Sequence, residues 1–202
     1  MKTKIINLKN RKDRRRSIIC ELKKIGIDDY SFVDAVNGKE KYKSINISQL
    51  MKGHYGCLDS HIKLLNSIHE RIGYTLVLED DCIFADEIKK DDIYNLLNKN
   101  IDFDLLYLGG NVYTFENSII EMPDLPFNKA NNVLCTHSYI INNSCIDRLL
   151  NVLLSEKNKV DVLFTKFQKD NNCYIVKKSM TWQATSQSDI TSVVLKGDTL
   201  KF

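Results

Sequence analysis

Short apolar runs bounded by polar turns alternate along the chain with segments whose apolar positions recur every three or four residues. Lys4-Ile5-Ile6-Asn7-Leu8 reads as a first strand, and Ile18, Ile19, Leu22 and Ile25 form one stripe of a helix from Arg11, which Asn10 would cap and Gly26 would end. Residues 30–36 predict a second strand closed by Asn37-Gly38, whereas residues 39–52 are polar and irregular. Gly53 and Gly56 lead into a helix with its stripe at Leu58, Ile62, Leu65, Ile68 and Ile72, ended by Gly73. Thr75-Leu76-Val77-Leu78 is short, apolar and partly β-branched, which suits a buried strand of a parallel sheet.

Beyond it, Ile88, Ile93, Leu96 and Leu97 mark a surface helix, and residues 103–108 a strand closed by Gly109-Gly110. Residues 111–130 hold both prolines and read as a long loop of the lid or binding kind. A strand over 133–141, a helix carrying Ile146, Leu149, Leu150, Leu153 and Leu154, a short helix over 160–167, a strand over 173–176 and a polar tail over 182–190 complete the pattern. Strands alternating with helices predict an α/β sandwich. A chain of 202 residues, 43% of them hydrophobic, suffices for one domain, 1–202, with a real core.

Composition adds an asymmetry of charge. Ten of the first 24 residues are Lys or Arg against Asp13 and Glu21, a net +8; the whole chain is +3, so the remainder carries −5. A basic amino end suits an anionic ligand and an acidic centre suits a cation. The six cysteines form no C-x-x-C pair and the four histidines no H-x-x-x-H pair, so neither a zinc site nor a disulfide framework is indicated. The first apolar run breaks at Asn7 and no window approaches ~18 apolar residues, which leads us to expect a reduced, cytosolic protein with at most peripheral membrane contact.

The densest chemistry is Glu79-Asp80-Asp81, where the apolar strand runs out. Open α/β sheets bind ligands outside the carboxyl ends of their strands. Three adjacent acids repel one another, and relief comes from a bound divalent cation, from protonation, or from solvation of an acidic turn that caps a helix near Ala85. Strand alternation would put Glu79 and Asp81 on one side and Asp80 on the other. Arg11, Arg14, Arg15 and Arg16 crowd the start of the first helix, where the macrodipole disfavours cations. That cost suggests a diphosphate cradle for Arg11 and Arg14 and a solvated face for Arg15 and Arg16; no glycine fingerprint of a nucleotide loop accompanies them. His61 reads as a hydrogen-bonded, half-buried histidine.

Several blocks follow one another along the chain: Ile6-Asn7-Leu8 with Arg11, Asp13 and Arg14; Asp34-Ala35 with Gly38; Gly53-x-x-Gly56-Cys57-x-x-Ser60-His61; and Leu78-Glu79-Asp80-Asp81. Asp104 with Leu108-Gly109, Thr136-x-x-Tyr139-Ile140-Ile141, Asp161, and Gln183 followed by Ser188-Asp189-Ile190 continue the series. Together they resemble glycosyltransferase family 25, the group of lipopolysaccharide-biosynthesis and collagen β-galactosyltransferases. Asn37 departs from the acidic residue usual before the glycine, and the chain is short.

The resemblance implies a GT-A-like nucleotide-sugar-binding sandwich with a mostly parallel central sheet, and an inverting transfer of galactose or glucose from a UDP-sugar. It implies Mn²⁺ or Mg²⁺ on Asp81 with Glu79 assisting, Asp80 facing the sugar, and Asn7, Arg11, Arg14, Ser60 and His61 around the donor. Asp161 or, second, Asp189 would take the acceptor proton. The acceptor would be a lipopolysaccharide sugar, another glycan or a hydroxylated collagen-like chain. Two other readings stand beside it: a family member that binds without turnover, and a nucleic-acid-binding module built on Lys9–Arg16. The absence of aromatic residues among those arginines argues against the latter.

Overall fold

The computed structural model describes residues 1–99, 101–112, 118–184, 186–187, 190 and 194–195, the pairs 186–187 and 194–195 by backbone only. In chain order the elements begin β1 (Lys2–Asn7), α1 (Lys12–Ile25), β2 (Tyr30–Asp34), α2 (Gly38–Lys41), α3 (Gln49–Asn66), β3 (Tyr74–Glu79), β4 (Cys82–Phe84) and α4 (Lys90–Leu97). They continue with β5 (Leu105–Tyr107), β6 (Asn111–Val112), β7 (Ile119–Ile120), β8 (Phe127–Ala130), β9 (Val133–Leu134) and β10 (Ser138–Asn142). Then follow α5 (Ile146–Ser155), α6 (Val160–Asp170), β11 (Cys173–Val176), β12 (Thr181–Gln183), β13 (Ser186–Gln187) and β14 (Val194–Leu195).

Eight strands form one sheet in the order β2-β1-β3-β10-β5-β11-β8-β7. β1 lies parallel to β2 and β3, and β5 parallel to β11, while β10 and β8 run against their neighbours. The central sheet is therefore mostly parallel, as the apolar runs predicted. Alternation along the strands sorts the side chains into two cores. Ile6, Val77, Tyr107, Tyr139 and Ile175 meet α3, α5 and α6 on one face. Ile5, Leu76, Leu78, Leu106, Ile140 and Tyr174 meet α1 and α4 on the other. The expected α/β sandwich is what forms.

Several boundaries move. α1 starts at Lys12 with Arg11 at its cap position, not at Arg11 with Asn10 capping. The segment 39–52, patternless in sequence, contains α2, capped by the Asn37 side chain, and the first turn of α3, capped by Ser48. Gly53 and Gly56 thus lie inside α3 rather than ahead of it. The same helix ends at Asn66, well short of Gly73, and Ile72 is 92% exposed. The expected strand 133–141 is broken into β9 and β10 by Cys135, whose φ of 79° is the only positive value among described residues other than glycine. The loop 111–130 carries β6, β7 and all of β8, with residues 113–117 outside the described part. The polar tail is not a tail: β12 pairs antiparallel with β4, and Ala184 N–H donates to the Asp81 carbonyl at 2.7 Å.

Candidate active site

A cleft of about 230 Å³ opens where β1, β2 and β3 end, lined on one side by Leu8, Asn10 and Arg14 and on the other by Ala35–Lys39 and Ser60. Glu79, Asp80 and Asp81 form its floor, and Gln183 and Ile190 its far wall. The loop after β2 reaches the cleft because two glycines let backbones touch. A Cβ at Gly56 would lie 2.5 Å from Gly38 N and 2.7 Å from both Gly38 Cα and Val36 O. Ser60 fixes the same loop, accepting from Val36 N–H at 2.8 Å while donating to Gly56 O at 2.6 Å. A Cβ at Gly53 would meet Ile190 Cα at 2.9 Å, so the glycine lets Ile190 lie against α3.

β3 ends at Glu79 and the chain turns there, so the three acids meet different partners. Glu79 Oε1 accepts from Thr136 Oγ1 at 2.8 Å and meets His61 Nε2 at 3.3 Å. Burial pushes the Glu79 carboxyl up, but these two contacts outweigh it and hold it below the usual carboxylate range. Asp80 turns to the other side, its oxygens held by Asn7 Nδ2 at 2.7 Å and Arg14 Nη1 at 3.0 Å. Burial nonetheless keeps Asp80 above its ordinary value. Asp81 shares Arg14, at 3.3 Å from Oδ2, while staying close enough to Glu79 to feel its charge. Its other oxygen, Oδ1, is buried and receives no hydrogen bond. Burial first, and then the Glu79 charge, push the Asp81 carboxyl up to about 7.

An orphaned, desolvated carboxylate oxygen beside a second acid fits a hard divalent cation, which prefers such oxygens. Softer donors cluster behind it: one ligand atom each of Cys57, His61 and Glu79 lies within 4.8 Å of the others. A second cavity of about 130 Å³ adjoins the cleft and shares Cys57, Glu79, Gln183 and Ile190 with it; His54, Cys135, Thr136, Lys159 and Asp161 complete its wall. Asp161 lies in the first turn of α6, where it accepts from Val162 N–H at 2.9 Å. Lys159 holds the N-cap position without a side-chain bond, so Asp161 is an acid of the first turn that also lines the cavity. His54 is pushed down by burial and by Lys159, so it stands neutral at physiological pH.

Of the residues expected around the site, Arg14, Ser60, Glu79, Asp80 and Asp81 line the cleft and Asp161 the adjoining cavity. Asn7 is buried beneath the floor and orients Asp80. His61 is fully buried behind Glu79, not half-buried, with Nδ1 at 3.1 Å from the Tyr139 hydroxyl. Arg11 does not join the cleft wall; its guanidinium bonds Asp13 at 2.9 Å, since its position ahead of α1 turns it along the helix surface. Arg15 packs over the Phe32 ring at 3.6 Å. Asp189 lies outside the described residues. His54 was given no role from sequence, and Gln183 and Ile190 stood there only as part of a matched block, without a place in the site. The Cys57/His61 pair shows in the sequence only as a C-x-x-x-H spacing, which joins a cysteine to a histidine rather than to one of its own kind.

Among the described residues no helix is long and apolar enough to cross a membrane. The procollagen galactosyltransferases 1-A and 1-B of Xenopus laevis are each 33% identical to the chain, over 125 and 126 residues. Those matches cover 52% of this chain and 20% of each relative, so the chain spans about a fifth of their length. Among solved structures, an apo-form glycosyltransferase GlyE of Streptococcus pneumoniae superposes at a TM-score of 0.48 with 10% identity, covering 87% of this chain and 45% of that one. A 4-diphosphocytidyl-2C-methyl-D-erythritol synthase of Anaerococcus prevotii superposes at 0.46 with 13% identity, covering 93% and 94%. The profile of glycosyltransferase family 25, described as an LPS biosynthesis protein, matches residues 1–164. With most of its length inside that profile, the chain belongs to glycosyltransferase family 25.

Proposed function

We propose that the chain transfers a hexose, galactose or glucose, from a UDP-sugar to a hydroxyl of a glycan or of a hydroxylated collagen-like chain, with inversion at the anomeric carbon. The observation that carries this reading is the pairing of Asp81, with its orphaned Oδ1, and Arg14 on the floor of a cleft bounded by a backbone loop at Gly38. Asp81, with Glu79 beside it, would hold Mn²⁺ or Mg²⁺. Such a cation, when bound, stabilises the negative charge that grows on the leaving diphosphate.

The chain's own groups do the rest. Arg14 presents a fixed guanidinium to the phosphates while keeping Asp80 in place. Asn37–Lys39 and Ser60 shape the wall against which the nucleoside lies. Asp161 faces the adjoining cavity, where an acceptor hydroxyl would enter, and as a carboxylate it takes that hydroxyl's proton as the new glycosidic bond forms. A single displacement from the face opposite the diphosphate gives inversion.

Calorimetric titration of UDP, UDP-galactose and UDP-glucose, each with Mn²⁺ and with EDTA, tests the reading. Metal-dependent binding that prefers one sugar supports it and justifies an acceptor screen. Donor binding with no turnover on any glycan or collagen peptide would leave a binding protein on the same fold. No binding in either buffer would remove the donor assignment altogether.

A further inference from the structure

We infer that Cys57, His61 and Glu79 form a binding site for a borderline-soft divalent cation of the zinc class, distinct in chemistry from the hard-cation reading of Asp81. Cys57 and His61 stand four residues apart on α3, so their side chains share a face, and the end of β3 delivers Glu79 against them. One donor atom from each lies within 4.8 Å of the other two. The His61 Nε2–Glu79 Oε1 separation is 3.3 Å. Two ligands bound at ~2.0–2.1 Å with tetrahedral angles stand roughly 3.3–3.4 Å apart, so this pair is already spaced for a tetrahedral ion.

The surroundings match what such ligands need. Histidine ligands are oriented through their second ring nitrogen, and His61 Nδ1 lies 3.1 Å from the buried Tyr139 hydroxyl, leaving Nε2 to face Glu79. Glu79 is steadied by Thr136 Oγ1 at 2.8 Å. Cys57 and Glu79 line both cavities, so a fourth position opens to solvent or to a small ligand. Thiolate, imidazole and carboxylate together select zinc-class ions over Mg²⁺ or Mn²⁺. Binding takes the proton from the Cys57 thiol to solvent, the imidazole hydrogen moves from Nε2 to Nδ1 where the Tyr139 hydroxyl can accept it, and the ion replaces the direct His61–Glu79 contact. The site does not depend on the transferase reading, although Glu79 can serve only one cation at a time.

The test uses the full chain freed of metal by chelation and titrated with Co²⁺, then with Zn²⁺ against a chromophoric chelator. One equivalent of Co²⁺ is expected to give a thiolate-to-cobalt band in the near ultraviolet and tetrahedral bands in the visible, both erased by Zn²⁺. Cys57→Ser should abolish the near-ultraviolet band and weaken Zn²⁺ binding at least tenfold, and Cys20→Ser, at an exposed thiol remote from the cluster, should leave both unchanged. His61→Gln should weaken Zn²⁺ binding to a similar degree; should that buried substitution unfold the chain, the wild type and Cys57→Ser decide alone. A band that persists in Cys57→Ser, equal Zn²⁺ affinity in wild type and Cys57→Ser, or an octahedral spectrum overturns the site.

Discussion

Replacing Asp81 by Asn is expected to stabilise the metal-free protein while removing donor binding. The Asp81 carboxyl is pushed from 3.8 up to about 7 by burial and by the charge of Glu79, with Arg14 offsetting only part. In the unfolded chain the group ionises near 3.8. Between those two values the folded state holds more protons than the unfolded one, so stability falls as pH rises through that window. Across the window from 3.8 to about 7, at 1.36 kcal/mol per tenfold change in proton activity, the cost reaches ~4 kcal/mol above pH 7. Asparagine keeps an oxygen for Arg14 Nη1 and leaves the backbone bond from Ala184 in place. For a chain of this length ~4 kcal/mol corresponds to roughly 8–16 °C in Tm. The assay is denaturant unfolding of both proteins in EDTA at pH 5, 6, 7 and 8. The difference should grow with pH and level off near 8. A difference that is flat with pH, or an asparagine variant less stable than wild type at pH 8, would refute the account of Asp81 as a desolvated, under-compensated acid.

Other expectations follow from single contacts. Asp59 is buried and receives Lys41 Nζ at 2.7 Å, Lys157 Nζ at 2.8 Å and the Tyr42 hydroxyl, joining α2 to the turn before α6. Burial pushes its carboxyl up but the two lysines and Tyr42 pull it lower still, so it adds stability above its unfolded pKa that is lost as pH falls through the folded one. Asp59→Ala should cost about 2 kcal/mol in urea unfolding near neutrality, less than a fully buried pair because both lysines are half-exposed. The penalty should shrink in acid. Gly56→Ala drives a methyl into the Gly38 backbone and should cost ~1–3 kcal/mol by the same assay while weakening UDP titrations. Asp161→Asn should lower kcat by ~10²–10⁴ with UDP-sugar affinity unchanged; a lost affinity with intact kcat would return Asp161 to a helix-end role.

The fold was legible where burial is periodic. Val77, flanked by Leu76 and Leu78, announces a strand covered on both faces, and Cys173–Val176 is found where the apolar run placed it. Helix starts were less legible. α2 and the first turn of α3 are carried by side-chain caps at Asn37 and Ser48 and by polar residues, so no stripe reveals them. Ile72 continued the α3 period on paper, yet the chain had already left the helix after Asn66, and period alone says nothing about where a backbone stops. The acidic floor was visible as composition, but the orientation of Asp80 and Asp81 depends on a turn and on Arg14, 66 and 67 residues away in sequence. Contacts at that separation leave no local trace.

β10 runs antiparallel between β3 and β5 and supplies the hydrogen-bonding partner for both. That insertion dictates an order of assembly. A nascent chain that has emerged as far as Tyr107 holds two of the central strands with no common neighbour, each presenting an apolar, unsatisfied edge until residue 142 arrives. Loop closure across some sixty residues must precede the reward for it. Ribosome-bound fragments that end before Ser138 are thereby expected to be chaperone clients and aggregation-prone, whereas those that extend past α5 can join β3 to β5 through β10, and the link to β8 waits for β11.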